Sequence, residues 1–282
     1  MRPASTPRPN LYTPSALSLF RGCPQRYFLA KVAHHRAEEP FSAPLARGKA
    51  AHRVLEACAR ACQRGEAPPD NLEVRVTAAL PRDGYPDARA RAADAAAVTG
   101  QVEAGLRRLA GGRRVLAVEA FLRYPYRGDA TTPPFVLGAS ADLILEGVDD
   151  DGARFLEVLD WKTGAGRGID LLQELALRVV ARHAYRDSHP HAYIVSTTAF
   201  LAEDAAWSVV RDDDACRRTW ADLKATVAAI EAEAAWPPEP GTRCLFCPYF
   251  RDGCALDRPG GEEETADWLD GVGDEEDEGA LA

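Results

Sequence analysis

The chain lacks any apolar run long enough to span a bilayer. Its first fourteen residues hold prolines and arginines where a secretion signal would need an apolar core. Both absences point away from the membrane and from an oxidising compartment, and the sequence reads as cytoplasmic. Phosphate-binding loops are missing too: Gly164-Ala165-Gly166-Arg167-Gly168 fits neither G-x-G-x-x-G nor G-x-x-x-x-G-K-[ST], which excludes a nucleotide triphosphate site of either kind. There is no G-x-S-x-G elbow, no H-E-x-x-H pair and no internal repeat. After Gly261 there is no Lys or Arg at all, only ten acids, from Glu262 to Glu278. They account for most of the net charge of -9, because the preceding 261 residues carry 33 acids against 34 basic residues. That body is near neutral and arginine-rich, able to present a local phosphate-binding face. Residues 1–14 read as a flexible arm and 258–282 as an acidic disordered tail.

What is present begins with Asp160-Trp161-Lys162, at the end of the apolar run Phe155-Leu156-Glu157-Val158-Leu159. A strand repeats its side-chain direction every two residues, so Asp160 and Lys162 share one face and Trp161 turns to the other. A second acid, Asp142, lies in another strand-like run, Phe135 to Leu145. Neighbouring strands would bring the two carboxylates together. Hard divalent ions such as Mg²⁺ or Mn²⁺ take oxygen ligands, and a lysine beside them can position water and offset developing negative charge. That is equipment for phosphodiester hydrolysis, although D-x-K alone is an ordinary ion pair in most proteins.

Seven cysteines in a reducing setting suggest ligands or core residues rather than disulfides. Cys244, Cys247 and Cys254 form C-x₂-C-x₆-C, and Cys23, followed by Pro24, is the natural fourth thiolate. Spacing alone leaves zinc and an iron–sulfur cluster open. Cys58, Cys62 and Cys216 read as small buried hydrophobes.

Helices are expected from Ser15 as N-cap to about Lys31, over Leu45 to Gln63 with Gly65 as the stop, near Asn71 to Leu80, and over Asp87 to Ala110. Strands follow at Val115 to Tyr126, Phe135 to Leu145 and Arg154 to Trp161. Asp170 caps a helix to about Tyr185, Ala192 to Phe200 alternates as a strand, and Asp212 to Ala235 forms a long helix. The order is that of an α/β or α+β domain. His52 lies on a helix with Glu56 one turn on, and Gln173 lies just inside the helix after Lys162; either alone would be an ordinary surface residue.

Asp142, Asp160-x-Lys162, the preceding Gly48-x-x-x-His52-x-x-Leu55-Glu56 helix, the following Gln173 and the split cysteine set together resemble the PD-(D/E)XK nuclease superfamily. The likeness is strongest to RecB-like nuclease domains of the iron-staple type, as in AddB and the nucleases of CRISPR adaptation. It runs from about Ser15 to Leu256. The resemblance implies an α/β, restriction-endonuclease-like core, a central mixed sheet flanked by helices, within residues 15–257. It adds a helical insertion at about 64–112 and a cysteine cluster at 244–254. It further implies that His52, Asp142, Asp160 and the Trp161 carbonyl hold Mg²⁺ or Mn²⁺, that Lys162 and Gln173 complete the catalytic set, and that Cys23, Cys244, Cys247 and Cys254 hold a [4Fe–4S] cluster. That cluster would staple the N- and C-terminal segments together. The implied activity is metal-dependent DNA hydrolysis, an exonuclease on single strands or ends in repair, recombination or defence, beside a separate helicase or defence subunit. One departure stands out: where family members carry Gln-x-x-x-Tyr, this chain has Leu177. Two rivals remain, a non-catalytic iron–sulfur nucleic-acid-binding module and a structural zinc protein.

Overall fold

A threonine before a proline supplies an N-cap and a first turn with its φ already set, and helix α1 (Pro14–Gly22) starts there, Thr13 Oγ1 accepting from the Ala16 N–H. Ser15, the expected cap, is therefore inside the helix. In this computed structural model, which describes residues 10–257 except 38–40, 110–111, 165–167, 211–212 and 251–252, the expected single N-terminal helix is broken at Cys23. Proline disfavours helical backbone at the residue before it, and Cys23 is extended (φ −167°, ψ 109°). It then caps α2 (Pro24–Tyr27), which runs into a π-helical turn over Phe28–Val32. The acidic tail and residues 1–9 lie outside the described residues. Leu11 and Tyr12, placed in the flexible arm by sequence, instead form β1 (Leu11–Tyr12). Tyr12 is fully buried, and its hydroxyl donates to Glu231.

Helices α3 (Ala43–Gln63), α4 (Leu72–Ala79) and α5 (Ala88–Leu109) then pack together. The antiparallel strands β2 (Arg114–Tyr126), β3 (Phe135–Val148) and β4 (Arg154–Lys162) follow. Helix α6 (Leu171–Tyr185) crosses over to β5 (Tyr193–Phe200), parallel to β4, and β6 (Ala205–Val209) closes the edge before α7 (Asp213–Ala232). The sheet is mixed, ordered β1-β3-β4-β5-β6 with β2 on the other edge of β3. One core lies under α1, α6 and α7 and contains Leu17, Leu156, Val158, Val180 and Val227. The other lies under α3, α4 and α5 and contains Val54, Val76, Val98, Leu159 and Trp161. The architecture is a central mixed sheet flanked by helices on both faces. No described helix is long and apolar enough to cross a membrane.

One irregularity sets up the site. In a regular strand residues i and i+2 share a face. Yet Ala141 packs in the core under α6 and Leu143 in the core under α3, while on β2 Val118 and Ala120 are divided the same way. The register pairs Val118 with Leu143 and Ala120 with Ala141. Both strands thus exchange faces at one level, at Asp142 and at Glu119 opposite it. Glu119 carries the cost in its backbone, with φ at +50°, a left-handed conformation that non-glycine residues seldom hold in a strand.

Candidate active site

The functional side chains come from five elements: His52 from α3, Glu119 from β2, Asp142 from β3, Asp160 and Lys162 from β4, and Gln173 from α6. Leu143 pairs with Leu159, which sets Asp142 beside Asp160 across neighbouring strands. Asp142 is held by the chain itself: its Oδ2 accepts from the Trp161 N–H at 2.6 Å. Its Oδ1 lies 3.3 Å from His52 Nδ1, and His52 Nε2 lies 3.2 Å from the Trp161 carbonyl oxygen. A carbonyl only accepts, so Nε2 is the nitrogen that donates there. Helix α3 brings His52 this close because Gly48, one turn earlier, leaves room for the chain leaving β4; a β-carbon on Gly48 would sit 3.1 Å from Thr163 Oγ1. Gln101 on α5 ties the same exit, donating to the Thr163 carbonyl at 3.2 Å.

Glu119 joins this set. Its Oε1 lies 3.9 Å from His52 Nδ1, and one donor atom from each of His52, Glu119 and Asp142 falls within 4.8 Å of the others. The sequence reading missed it. Glu119 sits in an apolar strand at what looks like a solvent position, and only the left-handed backbone and its level with Asp142 turn it into the cluster. The one available signal was a lone acid between Val118 and Ala120.

Asp160 and Lys162 do share a face, and Trp161 is buried on the other, as the strand period requires. Lys162 Nζ lies 2.8 Å from Asp160 Oδ2 and donates to Gln173 Oε1 at 3.3 Å. Gln173 Nε2 in turn donates to Asp160 Oδ1 at 2.7 Å. Gln173 is placed by the helix start, where Asp170 caps α6 by accepting from the N–H groups of Leu172 and Gln173. Asp160 therefore stands beside the His52–Glu119–Asp142 group but outside it, its two oxygens engaged by the amide and the ammonium next to it.

The electrostatics follow from burial and like charge. Asp142 and Asp160 are each 9% exposed. Burial, and then the neighbouring Asp142, push the Asp160 carboxyl above its usual range against the pull of Lys162. Burial and Asp142 do the same to Glu119. At His52 burial works against the charged ring, yet the facing carboxylates of Asp142, Glu119 and Asp160 hold its pKa above the ordinary value. Three acids around one imidazole form a half-buried anionic pocket that favours a cation.

The cysteines separate as expected in part. Cys23, Cys244, Cys247 and Cys254 line one cavity with Gln25 and Arg26, so residue 23 meets the 244–254 segment. Cys23 Sγ accepts from the N–H groups of Arg26 and Glu239, each at 3.4 Å. Cys58 is buried in the core under α3. Cys62 and Cys216, read as buried from sequence, are only half-buried.

Comparison with known proteins bears on these features. No curated protein matches the chain. Among solved structures it is similar to one titled "Crystal structure of SSO0001", with 15% identity, coverage of 74% of this chain and 86% of that one, and a TM-score of 0.30. A likeness that loose carries no argument about the site. The model of the PD-(D/E)XK nuclease superfamily, by contrast, matches residues 12–254, a span that holds His52, Glu119, Asp142, Asp160, Lys162, Gln173 and all seven cysteines. The chain belongs to the PD-(D/E)XK nuclease superfamily.

Proposed function

We propose that this chain is a Mg²⁺- or Mn²⁺-dependent deoxyribonuclease of RecB-like type, an exonuclease acting on single-stranded DNA or DNA ends in repair, recombination or defence. The observation that carries the reading is the meeting, within a PD-(D/E)XK chain, of the His52–Glu119–Asp142 donor set with the Asp160–Lys162–Gln173 set. Carboxylate oxygens with one imidazole suit a hard divalent ion, and two carboxyls pushed toward protonation by burial and by the neighbouring Asp142 are relieved by one. Such an ion, when bound, polarises the scissile phosphate and lowers the pKa of water.

The chain's own residues do the rest. Asp142, Asp160, Glu119 and His52 would hold the ion, and the Trp161 amide fixes Asp142 for that task. The Trp161 carbonyl, expected as a ligand, is assigned to orienting His52. Lys162, steadied by Asp160 and Gln173, directs the attacking water and offsets the charge that develops on the phosphate. Gln173 positions both partners without touching substrate.

The same reading gives Cys23, Cys244, Cys247 and Cys254 a [4Fe–4S] cluster. Support comes from four soft sulfur donors that line one cavity. Its role would be mechanical, a staple from residue 23 to the 244–254 segment. Seven free thiols accord with a reducing, cytoplasmic setting. Without an ATPase loop the chain would act alone or beside a helicase or defence subunit. The test is single- and double-stranded DNA labelled at either end, incubated with Mn²⁺ or with chelator. End-directed release of short products from single strands is expected, and products from internal cuts would reject the exonuclease assignment.

A further inference from the structure

A cavity of about 790 Å³ lies away from this site. It opens along α6 and is lined by Arg178, Arg182, His183, Arg186 and His191, with the rings of Tyr124 and Tyr193, and no carboxylate lines it among the described residues. None of His52, Glu119, Asp142, Asp160, Lys162 or Gln173 lines it either. The register measures the separation: Asp160 pairs with Thr198 on β5, whereas Tyr193 pairs with Phe155 at the other end of β4. Five residues of strand are roughly 17 Å.

Part of this positive charge has a local explanation. Cations near a helix C-terminus offset its partial negative charge, and Arg182 and His183 lie in the last turn of α6. Arg182 also donates to the Ala192 carbonyl, closing the loop into β5. That explanation does not reach Arg178, about one turn earlier, whose Nη1 is buried and has no hydrogen-bond partner among the described residues. A buried guanidinium nitrogen left unpaired is unfavourable, and a ligand oxygen would satisfy it. Nor does it reach His191, which comes from the loop. Arg178 and Arg182 stand four residues apart on α6, and Arg186 follows four residues on at its C-cap, where its Nε lies 3.3 Å from the exposed Asp187, so the three cations lie along roughly 12 Å of chain. A row of guanidinium forks flanked by two aromatic rings suits a chain of phosphates carrying bases, rather than one small anion.

We infer that this groove is a second nucleic-acid contact, holding the phosphate backbone of a single strand away from the cleavage site and so keeping the substrate on the enzyme between cuts. The inference rests on the nuclease reading for its choice of ligand. Its test is the full chain with Arg178→Gln and Arg186→Gln together, leaving Arg182 in place to hold its loop. Binding of a fluorescent 20-nucleotide single strand is measured by anisotropy in chelator, across salt concentrations, with thermal melting to verify the fold. The double variant should bind about tenfold more weakly. Its salt slope should fall by about 1.4, since each lost phosphate contact on a single strand removes roughly 0.7. Affinity and slope equal to those of the unaltered protein overturn the inference. So does an equal loss for an uncharged peptide nucleic acid of the same sequence, or a mononucleotide that binds as well as the oligonucleotide. Cleavage by the unaltered protein in Mn²⁺ is scored separately. Binding lost in the variant with no cleavage by the parent refutes the nuclease reading and keeps the groove; the converse refutes the groove alone.

Discussion

Glu119 is the residue whose role depends most on structure. It occupies a left-handed backbone position, is exposed, and faces His52 and Asp142. Glu119→Gln keeps the shape and removes the charge, so Mn²⁺ affinity should fall about tenfold or more while the melting temperature holds or rises, since a like-charge contact is relieved. Calorimetric titration with Mn²⁺ checks this, and unchanged affinity would remove Glu119 from the site. His52 gives a pH signature. Its folded pKa lies above the ordinary 6.5, so the protonated ring contributes stability that is complete below the unfolded value and fades as pH rises through the folded one. A cation competes with that proton, so Mn²⁺ should bind more weakly at pH 6 than at pH 8, and His52→Gln should flatten the difference. An undiminished pH dependence in that variant would mean another group is titrating. Asp142, Asp160 and Lys162 could be grouped from the strand period and the pairing of neighbouring strands, whereas His52 and Gln173 stood out only through the family likeness. Glu119 was not legible, because no periodicity announces a backbone that breaks its own alternation.

The elements show the same division. The long strands and helices were readable from their apolar period, and the boundaries of α6 from Asp170 and its cap. Two-residue β1 has no period to read, and β6 is a short edge strand with Trp207 half exposed. The break at Cys23 was written in Pro24 but was outweighed by the apolar stripe running across it. Asp170 links an element to the chemistry, because the cap that starts α6 also places Gln173 against Asp160 and Lys162. Asp170→Ala should cost about 1 kcal/mol of stability. It should also slow cleavage by loosening Gln173, an effect shared by Gln173→Ala without the stability loss. Chemical denaturation beside a cleavage assay separates the two, and full activity in both variants would show that Gln173 does not position the lysine.

Across the whole molecule two tethers hold the ends to the sheet: β1 beside β3, with Tyr12 bonded to Glu231, and the contact of Cys23 with the 244–254 segment. If the second is a metal cluster, it closes nearly the full chain. Treated as a cross-link of that loop length, it is worth on the order of 5 kcal/mol in the chain-entropy model, against the ~5–15 kcal/mol that hold a domain together. Cys244→Ala should therefore lose iron, sulfide and most of its soluble yield together, and a stable, colourless and active variant would contradict the staple. The fold class was legible from element order, and Cys23 could be offered as the fourth thiolate because three clustered cysteines want one more, but the choice of an iron–sulfur cluster over zinc came only through the family likeness.

The central claim is that Asp142, Asp160 and Lys162 act on one phosphodiester with a shared cation. Cleavage of end-labelled single-stranded DNA by the unaltered protein and by Lys162→Ala, each in Mn²⁺ and in chelator, tests it most directly. Products are expected only from the unaltered protein in Mn²⁺, with Lys162→Ala still folded and still binding the ion. Equal cleavage by both proteins, or cleavage that persists in chelator, would contradict it.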